Sequence, residues 1–160
     1  MKELVATAEK IAARLIERRQ TIAVAESSTG GLISAALLAV PGASAYFLGG
    51  AVVYTRDARR VLMDISDPDM AGIRSASEPY AQLLAKRLCE RFSCSWGLSE
   101  TGATGPSGNR YGDAAGHSCM AIAGPRQAVM TLETGSTDRV GNMHNFAGTA
   151  LRFLLKNLSE

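Results

Sequence analysis

The segment TIAVAESSTGGLISAALLAV, residues 21–40, determines the fold because it contains a strand, a tight turn and a helix in immediate succession. Residues 21–25 are apolar and rich in β-branched side chains, as in a strand that is covered on both faces. Residues 26–31 are small and polar and end in two glycines, and residues 32–40 form an apolar stretch that Pro41 ends. This order predicts an α/β fold.

The segments on either side continue the alternation of helices and strands. Amphipathic helices are predicted from the N-terminus to near Arg19, after Ser77 and Glu78, and over residues 147–158, and strands are predicted at residues 51–55, 96–98, 118–123 and 128–132. Gly124 and Pro125 separate the last two strands, which indicates an antiparallel hairpin. We therefore expect residues 1–160 to form one domain, a three-layer α/β/α sandwich with a mixed, partly antiparallel sheet.

Composition and charge narrow the class of protein. Hydrophobic residues make up 46% and charged residues 20%, which is typical of a soluble globular protein. A net charge of +2 gives no electrostatic reason to expect nucleic acid or an anionic membrane as the main partner. The three cysteines have no CxxC spacing, which argues against a disulfide framework and a structural zinc site. We expect a cytoplasmic protein that binds a small molecule, with no signal peptide and no membrane span.

Two loops are candidates for that binding, because open α/β sheets bind ligands beyond the carboxyl ends of their strands. Residues 28–31, Ser-Thr-Gly-Gly, can present backbone amides to an anion at the start of a helix, although a helix cap in a tight turn has the same composition. Residues 101–108 are glycine-rich and small enough for a nucleotide to approach the backbone closely, although an ordinary surface turn looks similar. Neither loop is a P-loop or a dinucleotide fingerprint.

The charged and histidine side chains give a weaker indication of a binding site than the two loops do. Arg59 and Arg60 can hold a phosphate through paired N–H donors, but a solvated surface pair is the alternative. His117 and His144 are too few and too far apart in sequence to indicate a metal site, so no metal is expected.

Several motifs, in order, resemble those of the CinA C-terminal family. They are AESSTGG at residues 25–31 against the family's AESCTGG, with Ser28 in place of the cysteine; PGASAYF at 41–47, then Gly50 and Tyr54; Ser77-Glu78 at a helix start; TGATGP at 101–106 against TGIAGP; and residues 135–139 against a phosphate-side GDR segment. The resemblance covers nearly the whole chain. Several motifs in one order are far more specific than any single one.

The resemblance implies an amidohydrolase that converts nicotinamide mononucleotide to nicotinate mononucleotide and ammonia without a metal or cofactor. It implies that the hydroxyls of Ser27 and Ser44 lie at the reacting carbonyl and that Tyr54 transfers a proton or orients the substrate. The substrate-binding residues predicted from the loops and the resemblance are Thr29, Gly30, Gly31, Arg59, Thr101, Gly102, Gly105 and Arg139, the last near the phosphate. Family members tend to associate, so a homo-oligomer is also expected.

The chain departs from the family at the position of the catalytic base. Five residues after the tyrosine the active family has a lysine, and this chain has Arg59. A guanidinium with a pKa above roughly 12 binds an anion but does not accept a proton. Glu26 is a speculative substitute, and residues 107–113 also depart from the family pattern. A catalytically silent nucleotide-binding protein is therefore the alternative. Both hypotheses require Ser27, Tyr54, Arg59 and Thr101 to meet around one cavity.

Overall fold

A computed structural model describes residues 1–159 and contains a five-stranded sheet between two layers of helices. The predicted three-layer α/β/α sandwich with a mixed sheet is therefore confirmed. The elements are α1 (Lys2–Glu17), β1 (Ile22–Glu26), α2 (Leu32–Leu38), β2 (Phe47–Val52), α3 (Arg56–Met63), α4 (Glu78–Phe92), β3 (Trp96–Ala103), β4 (His117–Ala123), β5 (Ala128–Glu133) and α5 (Arg139–Ser159).

The strands follow the order β2-β1-β3-β4-β5 across the sheet. β1 pairs in parallel with β2 on one side and with β3 on the other, whereas β4 is antiparallel to both β3 and β5. The carboxyl ends of β1, β2 and β3 consequently lie at one edge of the sheet. That edge is where open α/β sheets bind their ligands.

β1 is an inner strand of the sheet, and all five of its residues are buried. Because successive side chains of a strand point to opposite faces, Ile22 and Val24 join the core formed with α1, α2 and α5. Ala23 and Ala25 join the core on the other face, beneath α4. The segment that predicted the fold therefore holds both helical layers against the sheet.

The start of β2 and the end of β3 differ from the sequence predictions. β2 begins at Phe47 rather than residue 51, because Gly49 and Gly50 belong to this edge strand. A Cβ on Gly50 would lie 2.1 Å from the Ser34 hydroxyl oxygen, so glycine is required there for α2 to approach. β3 continues to Ala103, because β4 supplies an antiparallel partner for residues that were predicted to form a loop.

α3 was not predicted, because it is short and its only buried residues are Arg59 and Met63, which give no apolar stripe. Thr55 caps it by accepting a hydrogen bond from the Ala58 N–H at 3.1 Å. The predicted N-cap of α4 is confirmed, since the Ser77 hydroxyl accepts from the Tyr80 N–H.

No helix within residues 1–159 is both long and apolar enough to cross a membrane.

Candidate functional site

A cavity of about 640 Å³ lies at the carboxyl ends of β1, β2 and β3. Five of the residues predicted for the site line it, namely Ser27, Tyr54, Arg59, Thr101 and Gly102. The structure therefore brings together Ser27, Tyr54, Arg59 and Thr101, which both functional hypotheses required to meet.

Ser27 is the residue of the 26–31 turn that reaches the cavity, and it is half-buried. Its backbone N–H donates to the backbone oxygen and to the side-chain Oε2 of Glu100, both at 3.1 Å. Its hydroxyl has no hydrogen bond among the described residues. The backbone of Ser27 is thus fixed while its oxygen stays free to act on a bound molecule.

Glu26 is fully buried and organises the start of α2. Its carboxylate accepts hydrogen bonds from the backbone N–H groups of Gly31, Ile33 and Ser34 at 2.8–3.1 Å, and from the hydroxyls of Thr29 and Ser34. These are the orphan donors of a helix N-terminus, and a carboxylate is the group that such a terminus favours. Glu26 does not line the cavity, so it is not in position to be the substitute base.

Glu100 is a second fully buried carboxyl group beside the same turn. Burial raises its pKa, although the hydroxyls of Ser28 and Ser118 and the backbone N–H groups of Ser27 and Thr29 oppose the rise by donating hydrogen bonds. Ser28, which replaces the family's cysteine, therefore donates a hydrogen bond to this carboxyl group.

Thr29 joins the two carboxyl groups. Its hydroxyl oxygen lies 2.8 Å from Glu26 Oε1 and 3.0 Å from Glu100 Oε2. A hydroxyl has one hydrogen and can donate to one acceptor. A proton on Glu100 lets that residue donate to Thr29 while Thr29 donates to Glu26, and the raised pKa of Glu100 agrees with this arrangement. Thr29, Gly30 and Gly31 lie outside the cavity lining.

Arg59 enters the cavity from α3 and is 8% exposed. Its Nη2 donates to Asp67 at 3.1 Å, and its buried Nε has no hydrogen-bond partner. Of the Arg59–Arg60 pair only Arg59 reaches the cavity, since Arg60 is exposed and does not line it. Arg56 does, because helical spacing places residue 56 on the same face as residue 59.

Thr101 connects the cavity wall to β3. It is buried, and its hydroxyl oxygen accepts from the Ala76 N–H at 3.2 Å. The Ala76 carbonyl in turn accepts from His117 Nε2 at 2.8 Å. Residues 74–76, which line the cavity, are therefore held by hydrogen bonds from β3 and β4.

Ser44, Gly105 and Arg139 lie outside the cavity lining. Ser44 is exposed on a 3-10 turn at Ala43–Ala45, before the start of β2 and thus at the opposite end of that strand from Tyr54. Arg139 donates to the Gly105 carbonyl at 2.6 Å and to the Tyr54 hydroxyl at 3.4 Å. Arg139 and Gly105 therefore contact the site through Tyr54, whereas Ser44 of the same chain does not reach it.

Several lining residues were missed by sequence reasoning. They are Arg56, Arg74, Arg110, Tyr80 and Tyr111. The guanidinium carbons of Arg74 and Arg110 lie 5.4 and 5.1 Å from the centre of the Tyr111 ring. The hydrogen bond that Arg110 donates to the Tyr111 hydroxyl lowers the pKa of Tyr111, whereas burial raises the pKa of Tyr80 to about 12.

The cavity is therefore cationic and rich in hydroxyl groups. Four arginines line it, and within residues 1–159 no aspartate, glutamate or lysine does. The chemistry of such a lining suits an anion and a nucleophilic hydroxyl at Ser27, but the lining lacks a carboxylate or amine to accept a proton. The same residues contain no cluster of three or more histidine, cysteine, aspartate or glutamate side chains placed to hold a metal ion.

Comparison with known proteins places this geometry in context. A sequence model described as the CinA C-terminal domain matches residues 4–158. A CinA-like protein of Chlorobium limicola is 36% identical over 157 residues, which cover 95% of this chain and 37% of that protein. A CinA-like protein of a Synechococcus strain is 41% identical over 108 residues, covering 68% of this chain and 26% of that protein. The chain thus spans only about a quarter to a third of the length of these curated relatives.

Solved structures share the fold. A competence-damaged protein (CinA) superfamily protein from Klebsiella pneumoniae superposes with a TM-score of 0.90 at 22% identity, covering 98% of both chains. The corresponding superfamily protein from Enterobacter cloacae superposes with a TM-score of 0.89 at 26% identity, covering 97% of this chain and 92% of that one.

Proposed function

Because the chain belongs to the CinA C-terminal domain family, we propose that it is an amidohydrolase of pyridine nucleotides, converting nicotinamide mononucleotide to nicotinate mononucleotide and ammonia. The observation that carries this proposal is the cavity that Ser27, Tyr54, Arg59 and Thr101 line together. These residues come from three separate segments of the chain. The family resemblance assigns Ser27, Tyr54 and Thr101 to the substrate, whereas Arg59 stands where the family has a lysine.

In the proposed reaction, the Ser27 oxygen adds to the carboxamide carbon and the C–N bond then breaks. The nitrogen leaves as ammonia with the serine proton, and water then hydrolyses the serine ester to release the acid and restore the serine hydroxyl. Tyr54, held by Arg139 at 3.4 Å, lies at the cavity to orient the carboxamide. Arg74 and Arg110 of the lining hold the phosphate.

The step that lacks a group in the cavity is removal of the serine proton. Arg59 does not accept a proton, and Glu26 and Glu100 are buried away from the lining. This arrangement favours a second candidate function, a nucleotide-binding protein with little or no turnover, because a single missing catalytic group removes several powers of ten in rate. Binding is common to both candidates, and turnover distinguishes them.

The test is ammonia release from nicotinamide mononucleotide by the purified protein, by Ser27→Ala and by Arg59→Lys. A lysine at position 59 can act as a base once burial lowers its pKa, so we expect Arg59→Lys to release ammonia roughly a hundredfold or more faster than the parent. Ser27→Ala is expected to abolish release. Arg60→Lys, an exposed neighbour outside the cavity, is the matched control and is expected to match the parent.

Turnover in the parent, lost in Ser27→Ala, supports the amidohydrolase. Binding without turnover, with turnover gained in Arg59→Lys, supports the silent protein. Absence of both binding and turnover in the parent and in Arg59→Lys contradicts the assignment to pyridine nucleotides.

We further propose that the protein acts in the cytoplasm as a homo-oligomer. The three free cysteines suit a reducing compartment. Leu48 and Val52 are exposed on the edge strand β2, next to the turn that carries Ser44. Because Ser44 does not reach the cavity of its own chain, it can take part in the reaction only in the site of a second copy. Light scattering of the purified protein measures the oligomeric state directly.

A further inference from the structure

The charge of the cavity wall is divided between two clusters. The α3 cluster consists of Arg56, Arg59 and Asp67, with both guanidinium groups bonded to the one carboxylate. The loop cluster consists of Arg74, Arg110, Asp113 and Tyr111. Each cluster contains two positive charges and one negative charge, so each has a net charge of about +1.

The two clusters are separate. Within residues 1–159 no hydrogen bond or ion pair joins a member of the α3 cluster to a member of the loop cluster. Their carboxylates, Asp67 and Asp113, do not line the cavity, whereas all four arginines do. The excess positive charge therefore faces the cavity from two places rather than one.

Arg59 has unused hydrogen-bonding capacity. A guanidinium has five N–H donors, and Arg59 spends one of them, on Asp67. Its Nε is buried and has no hydrogen-bond partner, and the residue as a whole is 8% exposed. A buried donor without a partner costs free energy, and an anion placed against this guanidinium would remove that cost.

Arg110 has unused capacity in the loop cluster, because its one hydrogen bond goes to the neutral Tyr111 hydroxyl. Arg74 is already paired with Asp113 through two hydrogen bonds. A second anion at Arg110 would therefore meet an uncompensated guanidinium stacked on an aromatic ring.

We propose that this cavity binds small molecules with two separate anionic groups in preference to those with one. This inference rests on the proposed function in one respect, since it takes the same cavity as the pyridine-nucleotide site. The preferred ligand is then the acid, nicotinate mononucleotide. Its ring carboxylate pairs with Arg59 in the α3 cluster, beside Ser27 and Tyr54, and its phosphate pairs with the loop cluster. Nicotinamide mononucleotide, the amide, has only its phosphate as an anionic group to pair with these arginines.

The test is calorimetric titration of the parent protein with nicotinate mononucleotide, with nicotinamide mononucleotide and with inorganic phosphate, using Ser27→Ala for the amide if the parent turns it over. A charge-assisted pair to Arg59 should make the acid bind at least about tenfold more tightly than the amide. Arg59→Met should abolish this difference by weakening acid binding at least about tenfold more than amide binding. Arg110→Met should weaken both nucleotides alike.

Arg60→Met is the matched control, since this neighbouring arginine lies outside the cavity, and it should change neither affinity. Equal affinity of the parent for acid and amide overturns the proposal, as does an equal effect of Arg59→Met and Arg60→Met on the acid. Tight acid binding without ammonia release supports this inference and contradicts hydrolysis. Ammonia release with equal affinities supports hydrolysis and contradicts the inference, and absence of nucleotide binding contradicts both.

Discussion

At the scale of single residues, the buried carboxyl groups of Glu26 and Glu100 explain why the turn after β1 has its sequence. The hydroxyls of Ser28 and Thr29 and the backbone N–H groups of Ser27, Thr29 and Gly31 each donate to one or the other of these groups. A motif that looks like an anion-binding loop is thus largely occupied by the protein's own carboxyl groups, and Ser27 is the member left to face the cavity.

Substitutions at Glu100 test this interpretation. In Glu100→Gln the amide oxygen can still accept from the N–H groups of Ser27 and Thr29, and the hydroxyls of Ser28 and Ser118 can rotate to accept from the amide nitrogen. We expect that variant to stay close to the parent in stability. Glu100→Ala leaves the hydroxyls of Ser28 and Ser118 and the Thr29 N–H buried without this partner and should lower the free energy of unfolding by about 3 kcal/mol or more. Urea denaturation measures both, and equal stability of the two variants would refute the network.

At the scale of elements, the first turn of α2 is capped by a side chain from β1. Its N-cap residue, Gly31, has a positive φ of 104° and no side chain to cap the helix, so Glu26 at the end of β1 takes that role. The loop that carries Ser27 is fixed between these two elements.

Glu26→Ala should therefore loosen the start of α2 as well as destabilise the fold. We expect a loss of at least about 2 kcal/mol in the free energy of unfolding, because several buried helix N–H groups lose a charged acceptor. Amide hydrogen exchange at Ile33 and Ser34 should accelerate far more than exchange in α4. Uniform acceleration in both helices would show that Glu26 has no particular connection to α2.

Residues 74–76 form a second wall element, whose link to β4 depends on pH. His117 Nε2 faces the Ala76 carbonyl, Asp113 Oδ2 at 3.7 Å and the Cys119 thiol at 3.6 Å, and its Nδ1 faces the Glu133 carboxylate. Burial by itself lowers the pKa of His117, but the hydrogen bonds to Glu133 and Ala76 outweigh it and raise the pKa above its ordinary value. Both ring nitrogens meet oxygen acceptors, so the imidazolium is the form that satisfies them.

Because the folded pKa exceeds the unfolded one, this contribution to stability is complete below about pH 6.5 and is lost as pH rises through the raised pKa of His117. We expect the free energy of unfolding of the parent to fall over that range relative to His117→Gln. His144→Gln is the matched control, since His144 is exposed on α5. Identical pH dependence of the parent and His117→Gln would contradict the assignment.

At the scale of the whole molecule, β1 joins the two cores, because alternate residues of this one strand belong to opposite faces of the sheet. We propose that residues 1–160 unfold as one domain. Fluorescence of Trp96, buried in the larger core, and far-UV circular dichroism should then report one coincident transition in urea. Two separate midpoints would show that the layers unfold independently.

Local sequence pattern was sufficient to predict much of this architecture. β1, the start of α4 and the β4–β5 hairpin were predicted because apolar runs, an N-cap serine and a Gly-Pro turn signal them within a few residues. The start of β2 was missed because Gly49 and Gly50 look like a turn, although the approach of α2 to Gly50 requires glycine in a strand.

The candidate site was predictable in part. Ser27, Tyr54 and Thr101 came from motif resemblance and Arg59 from its charge just beyond a predicted strand, and the parallel strands bring these residues to one edge. The second arginine cluster had no sequence signal, because Arg74 and Arg110 are 36 positions apart in the chain and meet at Tyr111 only in the folded structure. The role of Glu100 as an acceptor for the turn at residues 26–31 could not be predicted either, because Glu100 is a single residue of β3 and no local pattern marks it.

The central claim is that the cavity at the ends of β1, β2 and β3 holds a pyridine mononucleotide. A crystal structure of the protein grown with nicotinamide mononucleotide tests it most directly. The account predicts the nucleotide in that cavity, with Arg59 and Thr101 in hydrogen-bonding contact and the ring substituent beside the Ser27 hydroxyl. A nucleotide bound elsewhere, for example in the depression lined by Lys2 and Arg152, with this cavity empty at saturating concentration, would contradict the account.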